Sequence, residues 1–336
     1  MAVKQIKIAV VGTGFMGATH LRIYQQMPGV CIASVCDVSG RIKNGVLPGV
    51  AGNIQQAVGL RLGPEVKIVS SFDALLEREV DVIDICSPTR FHAEQAMAAL
   101  RAGKHVICEK PLAPTAAQAR AVARVATGAK GFLMPAMCMR FWPGWAGLKE
   151  VVTEQTYGKV LAAGFRRVTA RPAWATGDSH PGGALLDLHI HDTDFVHFLF
   201  GRPEKVFSNG VVGPGGAVDH VVTQFIYRRG PVVHAEGSWL LVGGFNMSFA
   251  LHCERATLDF DFQRGAHVLH ITLPGKEPRF AKLKGTDGYE AELRHFIDCV
   301  RRGEPSRIVS AQDAVTCLQI CEAEEKSVRA KGIARL

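Results

Sequence analysis

Two hydrophobic rhythms divide this chain. Up to about residue 136, short apolar runs alternate with stretches of helical period. Residues 7–11, 31–36, 67–70, 82–86, 105–108 and 132–136 read as strands. Helical patterns fill the gaps after 12, at 73–79 with Asp73 as cap, at 92–102, and at 115–127 with Thr115 as cap. Apolar strands alternating with helices predict a parallel, doubly wound sheet covered on both faces. Past residue 130 the period changes to two. Alternating runs at 160–169, 205–209, 220–227, 232–239, 245–253, 257–262 and 268–272 are joined by Gly, Pro and Arg-Gly turns. That pattern predicts antiparallel strands. Helices are expected at 145–154, 184–200, 289–301 and 311–329. The fold class is therefore an α/β Rossmann domain over 1–128. An α+β domain over 129–336 follows, with a large, mostly antiparallel open sheet and a C-terminal helix free to pack back on the first domain. An open sheet of this size needs a cover, either helices or a second subunit. A homodimer or homotetramer through that sheet is the expectation.

Residues 39–66 break the first rhythm. Eight Gly or Pro residues punctuate them, with a short helical pattern near 54–60. The segment is long for such a connection. It reads as a surface insertion, or as a flap over the adenine side of a bound nucleotide.

Composition narrows the classes. Apolar residues make up 47% of 336, enough for two cores and too many for disorder. The net charge of +8 suits an anionic small ligand. The Arg pairs are dispersed with no interleaved aromatics, which argues against nucleic acid. The 9 cysteines are odd in number and lack a C-x-x-C, so a reducing, cytoplasmic setting is expected. No apolar run reaches the ~20 residues of a membrane span.

The chemistry concentrates in two places. Gly12-Thr13-Gly14-Phe15-Met16-Gly17 stands between a strand and a helix. In that setting the glycines admit a tight turn, a pyrophosphate and close helix packing. Asp37 ends the second strand, where a dinucleotide fold places the acid that binds the adenosine ribose. It favours NAD over NADP, although Arg41 is near enough to bear on that preference. The second place is Gly182-Gly183-Ala184-Leu185-Leu186-Asp187-Leu188-His189-Ile190-His191-Asp192-Thr193-Asp194. On a helix Asp187 and His191 share a face, which Asp194 extends. Beside a lysine, an Asp–His pair can move a hydroxyl proton. Metal ligation by Asp187, His189, His191 and Asp192 is disfavoured, because His189 and His191 point ~200° apart on a helix. His189 reads as a packing or subunit-contact residue.

Together with Ser87-Pro88-x-x-x-His92 and Glu109-Lys110-Pro111, these motifs resemble the Gfo/Idh/MocA oxidoreductases over essentially the whole chain. The resemblance implies hydride transfer between nicotinamide and a carbinol carbon of a sugar, inositol-like polyol or nucleotide sugar. It implies that Lys110 binds the reacting oxygen, His191 takes the hydroxyl proton and Asp187 orients His191. Ser87, Pro88, Thr89, His92, Glu109 and Lys110 would join the glycine loop around the cofactor. Lys110, Asp187 and His191 would contact substrate. Arg140, Trp142, Arg171 and Trp174, in predicted loops, are further candidates, with Arg140 and Trp174 foremost. His189 departs from the glycine that many members carry there. A non-catalytic NAD sensor and an NAD-dependent glycosidase remain the alternatives.

Overall fold

The computed structural model describes residues 5–50, 52, 59–175, 182–283, 285 and 287–336. The chain forms two compact units, Met1–Met137 with Tyr289–Val315, and Cys138–Gly288 with Thr316–Leu336.

The first unit holds strands β1 (Ile6–Val11), β2 (Val30–Cys36), β3 (Val46–Leu47), β4 (Leu60–Arg61), β5 (Lys67–Val69), β6 (Val82–Ile85), β7 (His105–Glu109) and β8 (Leu133–Ala136). Six of them make one parallel sheet in the order β5-β2-β1-β6-β7-β8. Ala9, Val10, Ile83, Val106 and Ile107 are wholly buried, which is why these strands read as nearly continuous apolar runs. The strand order reverses between β1 and β6. Ligands of such sheets gather at the carboxyl ends beside that reversal. β3 and β4 pair antiparallel as a small ribbon within the 39–66 segment. Most of the helix expected at 54–60 lies outside the described residues, and Leu60 itself is in β4. The helix expected at 73–79 is shorter, Phe72–Leu76. Its cap is Ser71, whose side chain accepts the Ala74 N–H, rather than Asp73. Ser71 has the extended backbone an N-cap needs, and Asp73 falls inside the first turn. Thr115 does cap its helix, Ala116–Gly128, by accepting the Gln118 N–H at 3.2 Å.

The second unit is built on β9 (Val160–Val168), β10 (Lys205–Val212), β11 (Val218–Ile226), β12 (Val232–Ser238), β13 (Asn246–Cys253), β14 (Thr257–Asp261), β15 (Leu269–Thr272), β16 (Arg279–Phe280) and β17 (Ile333–Arg335). Their order is β16-β15-β14-β13-β9-β12-β11-β10-β17. All neighbours run antiparallel except β9 and β12. The two outermost strands, β16 and β17, are too short to show a period and were not expected. Along β11, Val221, Thr223 and Phe225 are buried while Val222 and Gln224 are exposed. Helical segments cover the buried face, and Leu185, Val218, Val221 and Val328 share one apolar cluster.

Trp145 anchors the other end of this core. It is fully buried and meets Phe195 and Phe249 edge-on at 5.0 and 5.1 Å. The helix expected from 145 begins only at Leu148 and ends at Thr153, and turns carry Trp145 into the core instead. Trp145→Ala should cost about 3–5 kcal/mol, the range for emptying a packed aromatic site. Thermal unfolding should show it as a fall in Tm of several degrees.

Candidate active site

The turn after β1 is shaped by close approach. Gly12 has φ 95°, and a Cβ there would lie 2.6 Å from the Cys86 carbonyl oxygen. Glycine is the residue that permits both. The following helix, Phe15–Gln25, has Gly14 at its N-cap, no capping side chain and no acid in its first turn. Its leading N–H groups and positive dipole end are left for an anion. Gly14 is exposed, with nothing within 4 Å of where a Cβ would stand. A pyrophosphate fits this loop.

Asp37 follows β2, fixed by its neighbours. Thr13 and Ser39 hydroxyls donate to Oδ1 at 2.9 and 2.8 Å, and the Ile42 N–H donates to Oδ2 at 2.7 Å. Burial works to raise this carboxyl, but the hydrogen bonds from Ile42, Ser39 and Thr13 outweigh it and hold Asp37 below the usual carboxylate range. It is an ionised acceptor, suited to a ribose diol and repulsive to a 2′-phosphate. Arg41 donates to the Thr13 carbonyl at 2.6 Å, and the Phe15 ring lies against Gly52 too closely for any Cβ. Arg41 and Gly52 are thereby tied to the glycine loop. Met16 is half-buried on the same first turn, and Gly17 is packed under Gly12. Ser39 was missed by sequence reasoning, although a hydroxyl two positions past the acid is the signal.

The turns after β6 and β7 are stapled together. His92 is buried, with Nε2 2.6 Å from the Ser87 carbonyl and Nδ1 2.7 Å from the Pro111 carbonyl. Burial pushes its pKa below the ordinary histidine value, against those two carbonyls. Both ring nitrogens thus face backbone carbonyls, and the ring bridges the two turns. Ser87 donates to Gln95 at 2.6 Å, Pro88 precedes the short turn Thr89–Phe91, and the Lys110–Pro111 bond is cis.

Glu109 also faces inward. One carboxylate oxygen accepts the Lys110 N–H at 3.1 Å, and the other is 3.5 Å from His20 Nε2. His20 Nδ1 is 2.8 Å from Asp84, which also accepts the Tyr24 hydroxyl at 2.9 Å. Burial pushes Glu109 above the usual carboxylate range, opposed by His20 and Lys110. Sequence reasoning missed this buried chain under Lys110. Its signal was a lone acid inside the apolar run Val82-Ile83-Asp84-Ile85, and His20 with Tyr24 one turn apart. His20, Asp84 and Cys86 have donor atoms within 4.8 Å of one another, but each is already hydrogen-bonded inside the set.

In the second unit, Gly183 has φ 55°, and a Cβ there would be 2.5 Å from the Val218 carbonyl oxygen. His180 and Pro181 lie outside the described residues. The single helix expected over 184–200 is a π-helical turn, Leu185–His189, running into an α-helix, Ile190–Phe200. Asp187 and His191 are half-buried, whereas Leu188, His189, Ile190 and residues 192–196 are buried. His189 pairs with Glu324 at 2.9 Å and Asp192 with Arg167 at 3.0 Å. The His191 Nδ1 lies 4.0 Å from the Cys138 thiol.

Two further expectations change here. Asp194 does not extend the accessible face. It is buried and accepts Arg140 Nε and Nη2 at 2.9 and 2.7 Å. Arg140 is therefore no ligand group: it is 3% exposed, bonded to Asp194, and packed over the Phe198 ring. Breaking such a pair from one side strands a buried charge and costs about 3–5 kcal/mol. Arg140→Met should accordingly lower Tm sharply and leave KM for substrate unchanged in whatever protein folds. Arg171 is paired with Asp219, and Trp142 packs against Gly288. Trp174 lies in the turn Ala173–Ala175, with its side chain outside the described part.

Among the described residues no helix is long and apolar enough to cross a membrane. A model of the oxidoreductase family with an NAD-binding Rossmann fold matches residues 6–137, and one of the GFO/IDH/MocA C-terminal domain matches 145–259. Over 98% of both chains the protein is 27% identical to myo-inositol 2-dehydrogenase of Thermotoga maritima. It is 25% identical to scyllo-inositol 2-dehydrogenase (NAD(+)) of Bacillus subtilis, over 97% of this chain and 94% of that one. Its fold also superposes on levoglucosan dehydrogenase in complex with NADH and levoglucosan, with a TM-score of 0.85, 99% of each chain covered and 20% identity. The glycine loop, the Asp37 carboxylate and both matched halves lead to one assignment: this chain belongs to the Gfo/Idh/MocA family of NAD-binding oxidoreductases.

Proposed function

We propose that the protein oxidises a ring CH–OH of an inositol-like polyol or a sugar, passing hydride to NAD. The observation that carries this reading is the contrast along residues 185–194. Their neighbours His189, Asp192 and Asp194 are consumed in buried pairs, while Asp187 and His191 keep partial access. Relatives that match nearly end to end include inositol dehydrogenases.

Residues 12–17, Asp37 and the Ser87–Pro88–Thr89 turn would hold NAD, which would supply the hydride acceptor. A carbinol C–H releases hydride only as its O–H loses a proton. His191 takes that proton, and Asp187 orients the imidazole and offsets its positive charge. Lys110 holds the reacting oxygen and offsets the negative charge that grows on it. The turn that carries Lys110 is set by its cis bond to Pro111, by Glu109 on its N–H and by His92 on the Pro111 carbonyl.

Asp37→Ala tests the cofactor half. The loss of charged hydrogen bonds to the ribose is worth about 1.5–3 kcal/mol. Fluorescence titration should show NADH binding weakened about tenfold to a hundredfold, with NADPH affected far less. Equal loss for both would contradict the role given to Asp37.

The same reading extends to assembly. Phe207, Val211, Val222 and Val232 are exposed on one face of β10, β11 and β12, and a second copy would cover them. Sedimentation should give a dimer or tetramer; a monomer at micromolar concentration would contradict it.

A further inference from the structure

We propose that His189 and Glu324 form a buried clasp that sets the register of the π-turn Leu185–His189, and so positions Asp187 and His191. The proposal rests on the acid–base roles given to those two residues above.

A π-turn is an uncommon, strained insertion in a helix and needs support from outside it. Here the support is polar and deep. Glu324 is wholly buried on the helix Ala311–Ala330. It receives His189 Nε2 at 2.9 Å and the Thr193 hydroxyl at 3.1 and 3.3 Å. Both donors come from the 185–194 stretch, one at the end of the π-turn and one a turn later. Between them Asp192 is held by Arg167 of β9 through two hydrogen bonds, at 3.0 and 3.1 Å. Room for the imidazole is provided on β12. A Cβ on Gly237 would stand 2.5 Å from His189 Cβ and 2.9 Å from its ring. An apolar pair would fill this space at lower desolvation cost, so the ionic groups suit specifying geometry more than adding stability.

Geometry explains what the clasp controls. A π-turn advances each residue by less than the 100° of an α-helix. Two of the four steps from Asp187 to His191 lie in the π-turn, so relaxing Leu185–His189 to α would rotate Asp187 about the axis relative to His191 by roughly 30–40°. The two share a face either way, but a shift of that size changes the angle at which they meet one hydroxyl.

The clasp is also titratable. His189 is faced by Glu324, Asp192 and Arg167, and the Cys321 thiol faces Glu324. Burial would lower the His189 pKa, but attraction to Glu324 and their hydrogen bond bring it above the ordinary value. A raised folded pKa means the stabilisation is complete below about 6.5, the unfolded value, and is lost as pH rises through the folded one.

The test compares wild type with His189→Ala, His189→Gln and Thr193→Val. Readouts are kcat, KM, NADH affinity and amide exchange across 185–191. His189→Ala should lower kcat about tenfold or more, leave NADH affinity within about twofold, and speed exchange of those amides about tenfold. His189→Gln, which can still donate to Glu324, should recover most of both. Thr193→Val, which keeps the branched shape and loses the hydroxyl, should show the same changes at about threefold. A folded His189→Ala with unchanged kcat and exchange would overturn the clasp. If His189→Ala does not fold, unchanged kcat and exchange in Thr193→Val would overturn it. A wild type inactive on every polyol would sink the dehydrogenase reading alone, because exchange in the same variants still decides whether the π-turn is clasped.

Discussion

Lys110→Met removes turnover, by about a thousandfold or more, and leaves NADH binding within a few fold. Methionine keeps the length of the stem and loses the charge. Losing a positioned group that offsets transition-state charge costs about 10²–10³ in kcat, and losing a proton-transfer partner costs a similar factor. The cofactor is held elsewhere, by the loop from Gly12 to Gly17 and by Asp37, whose hydrogen bonds do not involve Lys110. Stopped-flow mixing of the variant with NAD and substrate separates the two effects. The variant should bind NADH and show no fast hydride transfer. A variant with full activity would remove Lys110 from the chemistry.

Gly12→Ala has the second largest effect, for a different reason. At φ 95° a side chain is strained before it touches anything. Its Cβ would also stand 2.6 Å from a backbone carbonyl at the end of β6, which cannot swing away as a side chain could. The loop must open, and the helix N-terminus moves with it. Cofactor affinity should fall by about a hundredfold or more, and stability by several kcal/mol, the scale of backbone strain with overpacking. Calorimetric titration with NADH and a thermal melt read both. Near-normal affinity would mean that the loop tolerates what its geometry forbids.

The architecture was legible in the sequence because both rhythms are long-range consequences of burial. Strands covered on both faces read as apolar runs, and strands covered on one face alternate. Local signals did less well where tertiary contacts decide. Ser71 and Asp73 are both good caps, and the backbone at Ser71 settled it. The π-turn was invisible, since helical periodicity does not register a one-residue slip. The motifs located the glycine loop and Asp37, but sequence could not show which polar residues would be spent internally. Arg140, Asp194 and His92 looked available. Their partners Asp194, Arg140 and the Pro111 carbonyl lie 54, 54 and 19 positions away. The same reasoning passed over His20, Tyr24 and Asp84, whose joint burial under Glu109 is a matter of packing.

The most direct measurement is nicotinamide absorbance with NAD and a panel of inositols, monosaccharides and nucleotide sugars, with Lys110→Met run beside the wild type. The expected result is NADH formation by the wild type on at least one cyclic polyol or sugar, and none by the variant. Absence of NADH formation across the panel, in a wild type that binds NADH, would contradict the account.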